Sequence, residues 1–135
     1  MVRLATHTDC PDIAQGLLEL VPRTGWAMYK HGVTYQDVLE FVTNRLVDPS
    51  CVLYVYDGGA VTAFCGASLS QLYVPPYHKT VYEWGWYGPP RQAALVWQAA
   101  KAWGKRHGAK LAGYISAKPG TSVTTIHEPY IWKVL

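Results

Sequence analysis

Glu83-Trp84-Gly85-Trp86-Tyr87-Gly88-Pro89-Pro90-Arg91-Gln92-Ala93-Ala94 decides how the rest of this chain is read. It begins as an aromatic strand and ends as the start of a helix, with Gly-Pro-Pro as the turn between them. The helix runs from Pro89 to His107, because Ala93, Val96, Trp97, Ala100 and Trp103 recur on one helical face. Gly108 is the residue that ends it, since glycine accepts the left-handed backbone of a helix terminus. Lys110 to Ser116 then reads as a strand, and a strand–helix–strand unit of this length joins its two strands in parallel.

Upstream, Thr80 to Tyr87 is the strand that enters the junction. Cys51-Val52-Leu53-Tyr54-Val55-Tyr56 and Ala60 to Tyr73 form two more, joined by a tight turn at Asp57-Gly58-Gly59. Val74-Pro75-Pro76-Tyr77-His78 turns the chain into the junction strand, completing an antiparallel meander. Two helices come earlier. Asp9 reads as the N-cap of the first, with Pro11 and Asp12 in its opening turn and Ile13, Leu17, Leu20 and Val21 along its apolar face, up to Pro22. Thr34 caps the second, whose stripe is Tyr35, Val38, Leu39, Val42 and Leu46, and Asp48-Pro49-Ser50 stops it. Val2 to Thr6 is an opening strand, residues 23–33 an exposed loop, Lys118-Pro119-Gly120 a second loop, and Tyr130 to Leu135 a closing strand. The expected order is β-α-α-β-β-β-α-β-loop-β: an α/β chain with a mixed, mostly antiparallel sheet. No repeat, linker or low-complexity segment divides residues 1–135, so one domain is expected.

Half of the 135 residues are hydrophobic and 16% are charged, which excludes a disordered chain. A net charge of +3 is too mild to imply nucleic acid. The densest basic run, Lys101 to Lys110, sits where cations complement a helix C-terminus. No apolar run is long enough for a bilayer span, so no membrane association is expected. Cys10, Cys51 and Cys65 make no metal-ligand or paired motif, and without a signal-peptide pattern they imply reduced, buried thiols in a soluble protein made in the cytoplasm. Cys65, between Phe64 and Gly66, reads as packed and not nucleophilic. The five histidines are scattered, so no metal site is expected.

The element order over residues 2–116 resembles the GNAT (GCN5-related N-acetyltransferase) family. So do Arg3-Leu4-Ala5-Thr6 with Asp9, Asp12 and Ile13, and Trp86-Tyr87 followed by proline and helix. Ala102-Trp103-Gly104-Lys105-Arg106-His107-Gly108-Ala109-Lys110 is similar to small phage-encoded members. The resemblance implies a parallel unit at the fourth and fifth strands. It also implies an acetyl-CoA pyrophosphate held by backbone N–H groups at the start of the third helix, within Arg/Gln-x-x-Gly-x-Gly/Ala. Arg91-Gln92-Ala93-Ala94-Leu95-Val96 departs from that pattern, the loop is several residues short, and Pro89 and Pro90 carry no N–H at all. The family's fourth helix, with its tyrosine acid, is replaced by Lys118 to Thr125, rich in breakers and β-branched residues. Neither Tyr114 nor Tyr130 inherits that role.

The expectation is therefore a GNAT-like protein without a cofactor or catalytic residue, acting through contacts with other proteins or its own copies. The resemblance suggests a virion component or phage accessory protein as the setting. The interface candidates are Trp26, Met28 and Tyr29 in the first loop, Tyr73 and Tyr77 in the Pro-Pro turn, and Trp132 in the tail. The alternative is an acetyl-CoA-dependent N-acetyltransferase with Glu83 as base and Trp86, Arg91 and Gln92 toward the cofactor. On its own pattern Glu83 reads as an exposed strand residue alternating with Val81 and Gly85. Gly85 marks either a bulge or a close backbone approach.

Overall fold

The computed structural model describes residues 1–20, 32–73, 75–114 and 131–135, with backbone alone at residues 131 and 132. Strand β1 (Val2–Leu4) leads through a 3₁₀ turn at His7–Asp9 into α1 (Cys10–Leu20). Then come α2 (Tyr35–Val47), β2 (Cys51–Asp57), β3 (Val61–Gln71), β4 (Lys79–Tyr87), α3 (Pro90–Arg106), β5 (Leu111–Tyr114) and β6 (Ile131–Val134). The strands form one sheet in chain order, parallel between β4 and β5 and antiparallel elsewhere. The α/β expectation holds in type and order. Residues 115–130, where a fourth helix was expected to be missing, lie outside the described residues.

Each face of the sheet has its own core. Ile13, Ala14 and Leu17 of α1 and Val42 of α2 bury against Leu53, Val55, Phe64 and Trp84. On the other face Val96, Trp97, Ala100 and Trp103 of α3 cover Val52, Cys65, Ala67, Val81 and Ala112. Burying a side chain of this size contributes roughly 1.5–3 kcal/mol, so two such layers account for the three-layer architecture. Gly108, at φ +88°, ends α3 as its pattern required.

The start of α1 corrects one expectation. Asp9 is not the N-cap; extended Thr6 holds that place, and Asp9 is the third residue of the turn it opens. The Asp9 carboxylate accepts the Thr6 N–H at 2.8 Å and two guanidinium N–H groups of Arg3 at 2.8 and 3.0 Å. Arg3 also donates from Nε to Asp57 at 3.0 Å. These Arg3 bonds, ahead of the others, hold the Asp9 carboxyl below its ordinary range. A capping residue was legible here, but its long-range partner was not.

Candidate functional site

The site candidate is the fork where β4 leaves β5. β4 pairs with β5 at Thr80, Tyr82 and the residue between them, opposite Leu111 to Gly113, and the pairing stops there. On its other side β4 stays bonded to β3 along its whole length, with a shift between Gly66 and Ala67 that leaves Trp84 as the extra residue. A bulge of this kind turns the following residues over. Gly85 therefore marks a bulge and also a close approach: a Cβ on it would lie 2.6 Å from Leu17 Cδ2. Both readings of that glycine apply.

Glu83 lies just before the bulge, opposite Ala67. Glu83 is 6% exposed, so the exposed-strand reading is wrong. It shares the α3 face with Val81, while Trp84 joins the α1–α2 face and packs edge-on against Phe41 at 5.4 Å. Simple alternation put Glu83 and Gly85 on one face because it carried no extra residue. Beside Glu83, the Cys65 thiol is fully buried and pushed well above its ordinary pKa, first by burial and then by the Glu83 charge. That thiol stays protonated and is packed, as its apolar neighbours implied. Cys10 is buried too, whereas Cys51 is half-buried with Sγ 3.0 Å from Ser68 Oγ, against the expectation for that thiol.

Aromatic rings cluster on the α3 face of the fork. Trp86 lies 5.6 Å from Trp97 and 5.9 Å from Tyr114, and Trp97 lies 6.0 Å from Tyr114. The Trp86 indole N–H donates to Ala93 O at 2.8 Å, which pins the first turn of α3 to the strand. The Gln92 side-chain oxygen accepts the Thr62 hydroxyl. Two of the three residues assigned to cofactor binding under the enzyme alternative thus each make a side-chain hydrogen bond within the protein. Arg91 is exposed.

The junction itself is two residues, Gly88 and Pro89. Gly88 has φ +132° and packs so closely that a Cβ would lie 2.4 Å from the Ala63 Cβ, so no other residue fits. The first backbone bond of α3 runs from Ala93 N–H to Pro89 O at 2.8 Å. Pro90 is N1 and the first turn carries no acidic residue. Ahead of Ala93, the helix offers the N–H groups of Arg91 and Gln92 and nothing from its two prolines.

The fork brings together Glu83, Trp86, Arg91 and Gln92. Tyr73 and Tyr77 stand beyond the other end of β4, whose Lys79 is about 13 Å along the strand from Glu83 and about 23 Å from Trp86 at a rise of about 3.3 Å per residue. They are 90% and 52% exposed, as an interface role needs. Trp26, Met28 and Tyr29 lie outside the described residues. Trp132 sits in β6 opposite Gly113, with its side chain outside them. The sequence reading missed the ring cluster as a unit, although Trp86, Trp97 and Tyr114 each stood on an element it had placed.

No family model and no curated protein matches this sequence. Solved structures match its shape. A GCN5-related N-acetyltransferase from Ralstonia eutropha JMP134 aligns at TM-score 0.68 and 16% identity, over 96% of this chain and 97% of that one. An aminoglycoside N-acetyltransferase in complex with CoA aligns at 0.69 and 17%, over 88% and 77%. A transcriptional regulator from Bacillus halodurans C-125 aligns at 0.67 and 11%, over 96% and 95%. The chain has the GNAT fold. Among the described residues no helix is long and apolar enough to cross a membrane.

Proposed function

We propose that this chain is a GNAT-fold protein that works through protein–protein contact and not through acyl transfer. The observation that carries the reading is the β4–α3 junction: two residues long, followed by Pro90, and left with two N–H donors at the helix start. A pyrophosphate needs several converging donors and a backbone that can come close. This junction does not fit that group, and Trp86 beside it packs with Trp97 and Tyr114. The exposed Tyr73 and Tyr77 suit a docking role, since aromatic anchors dominate interface energies. The likeness of Ala102 to Lys110 to small phage-encoded members suggests a virion or phage accessory assembly as the setting.

Calorimetric titration with acetyl-CoA and with CoA tests the reading. It expects no heat and no thermal shift at millimolar ligand. Micromolar binding would overturn it.

One observation favours the second reading, an N-acetyltransferase with an atypical cofactor loop. Glu83 is a buried carboxylate at the fork, where a base could take a proton from an amine. Under that reading Arg91 supplies charge at the helix start.

A further inference from the structure

Among the described residues, charge is divided between the two faces of the sheet. On the α3 side stand Arg91, Lys101, Lys105, Arg106, Lys110 and Lys133, the last placed there by its pairing with Ala112. Among the described residues the acid beneath that layer is Glu83, and it is buried. On the opposite side Asp12 and Glu19 of α1 and Asp37 and Glu40 of α2 are exposed. Those two helices carry one cation, Arg45, whose guanidinium lies 4.8 Å over the Phe41 ring. Both ion pairs among the described residues belong to Arg3, at the edge of the sheet. Among the described residues neither layer neutralises itself.

Each outer helix also shows an apolar strip. Asp37, Glu40, Phe41, Asn44 and Val47 follow one another at helical spacing on the outside of α2, with Phe41 38% and Val47 67% exposed. On the outside of α3 the corresponding stripe is Arg91, Ala94, Leu95, Gln98, Ala102 and Lys105, with Leu95 40% exposed. Both stripes mix exposed apolar residues with charge, and they are opposite in sign.

We infer that the partner of this chain is a second copy of itself, the α3 stripe of one molecule laid on the α2 stripe of the next. The inference rests on the protein-contact reading and names the partner. Because the two surfaces differ, the contact is head-to-tail, and each added copy presents a new surface of either sign. Such contacts close into a ring or grow as a filament. A polyanion would neutralise α3 but leave the acidic, partly apolar face of α2 without an occupant. Opposite-charge steering brings the surfaces together and fades as salt shortens the screening length from over 10 Å to about 3 Å at 1 M.

Sedimentation of the full chain in low and high salt, with two charge-reversed variants, tests this. Wild type should associate at low salt and dissociate at high salt. The Arg91→Glu/Lys105→Glu protein presents two negative stripes and the Glu40→Lys/Asn44→Lys protein two positive ones. Each alone should associate at least tenfold more weakly than wild type, and an equal mixture should recover association. Circular dichroism melts confirm that both variants fold. A wild type that stays monomeric in low salt overturns the inference, as does a mixture that fails to recover. It also falls if wild type stays monomeric while binding a single-stranded DNA probe that the Arg91→Glu/Lys105→Glu protein no longer binds. Calorimetry with CoA is separate, so the parent reading and this one can fail independently.

Discussion

Lys79–Tyr82 and Glu83–Tyr87 are halves of one strand, yet different forces hold them. The first half has a strand on each side, β3 and β5, and its buried Val81 packs under α3. Among the described residues the second half pairs with β3 alone, and its Trp86 ring packs on the α3 face with Trp97 and Tyr114. Strand pairing spreads its stabilisation over many small equivalent bonds, whereas a ring cluster concentrates it in a few large contacts. The paired half should therefore tolerate single changes that the fork does not.

Trp86→Ala is the sharpest way to break that contrast. It removes two ring contacts and the bond to Ala93 O, and should cost about 3 kcal/mol in urea unfolding. Val81→Ala, at a fully buried position in the paired half, should cost less, about 2 kcal/mol. If Val81→Ala proves the more damaging, the rings merely fill space and the fork is held some other way. Gly66→Ala comes next. Its Cβ would lie 2.2 Å from the Trp84 ring, so the bulge or the indole must move, at about 2 kcal/mol. Adding Trp84→Leu to Gly66→Ala should then cost less than the separate changes sum to, since the clash is gone.

The opposite edge of the sheet provides a control governed by charge. Asp9 has its carboxyl held low by Arg3, so its stabilising effect is complete above the unfolded value near 3.9 and lost as pH falls through the lower folded value. Asp9→Asn should lower the melting temperature by a few degrees at neutral pH, and the gap to wild type should close in acid. A gap that persists at the lowest pH would mean that Asn costs stability through shape and not through charge.

Fold type was legible because each element carries its own pattern: the Val96–Trp97–Ala100–Trp103 face, the Thr34 cap, the Asp57-Gly58-Gly59 turn. The site was legible only in part. The loss of N–H donors at Pro89 and Pro90 follows from covalent structure alone. The burial of Glu83 does not: alternation puts it on the Val81 face, but that α3 covers this face and that the bulge then turns Gly85 away appear only with the register. The Arg3–Asp57 pair joins residues whose proximity exists only after β1 has paired with β2, and the Arg3–Asp9 pair needs the turn between β1 and α1. The division of charge between faces is equally silent until the helices have been assigned to sides.

Glu83→Gln should have the smallest effect, and it bears on function most directly. Glutamine keeps the volume and one carbonyl oxygen of glutamate but cannot take up a proton at neutral pH. If the fork is a packed remnant of a catalytic site, the substitution should leave assembly unchanged and shift stability by less than about 1 kcal/mol, the scale of one altered hydrogen bond. If the fork performs acyl transfer, a general base contributes about a hundredfold or more to rate, so turnover with acetyl-CoA and an amine would fall by that factor while the melting temperature stays put. Measuring both quantities on the same preparation separates a carboxylate kept for chemistry from one kept for packing. A loss of stability without any acyl transfer in the wild type would place Glu83 among the groups that hold the bulge, leaving the two halves of β4 distinct in structure alone.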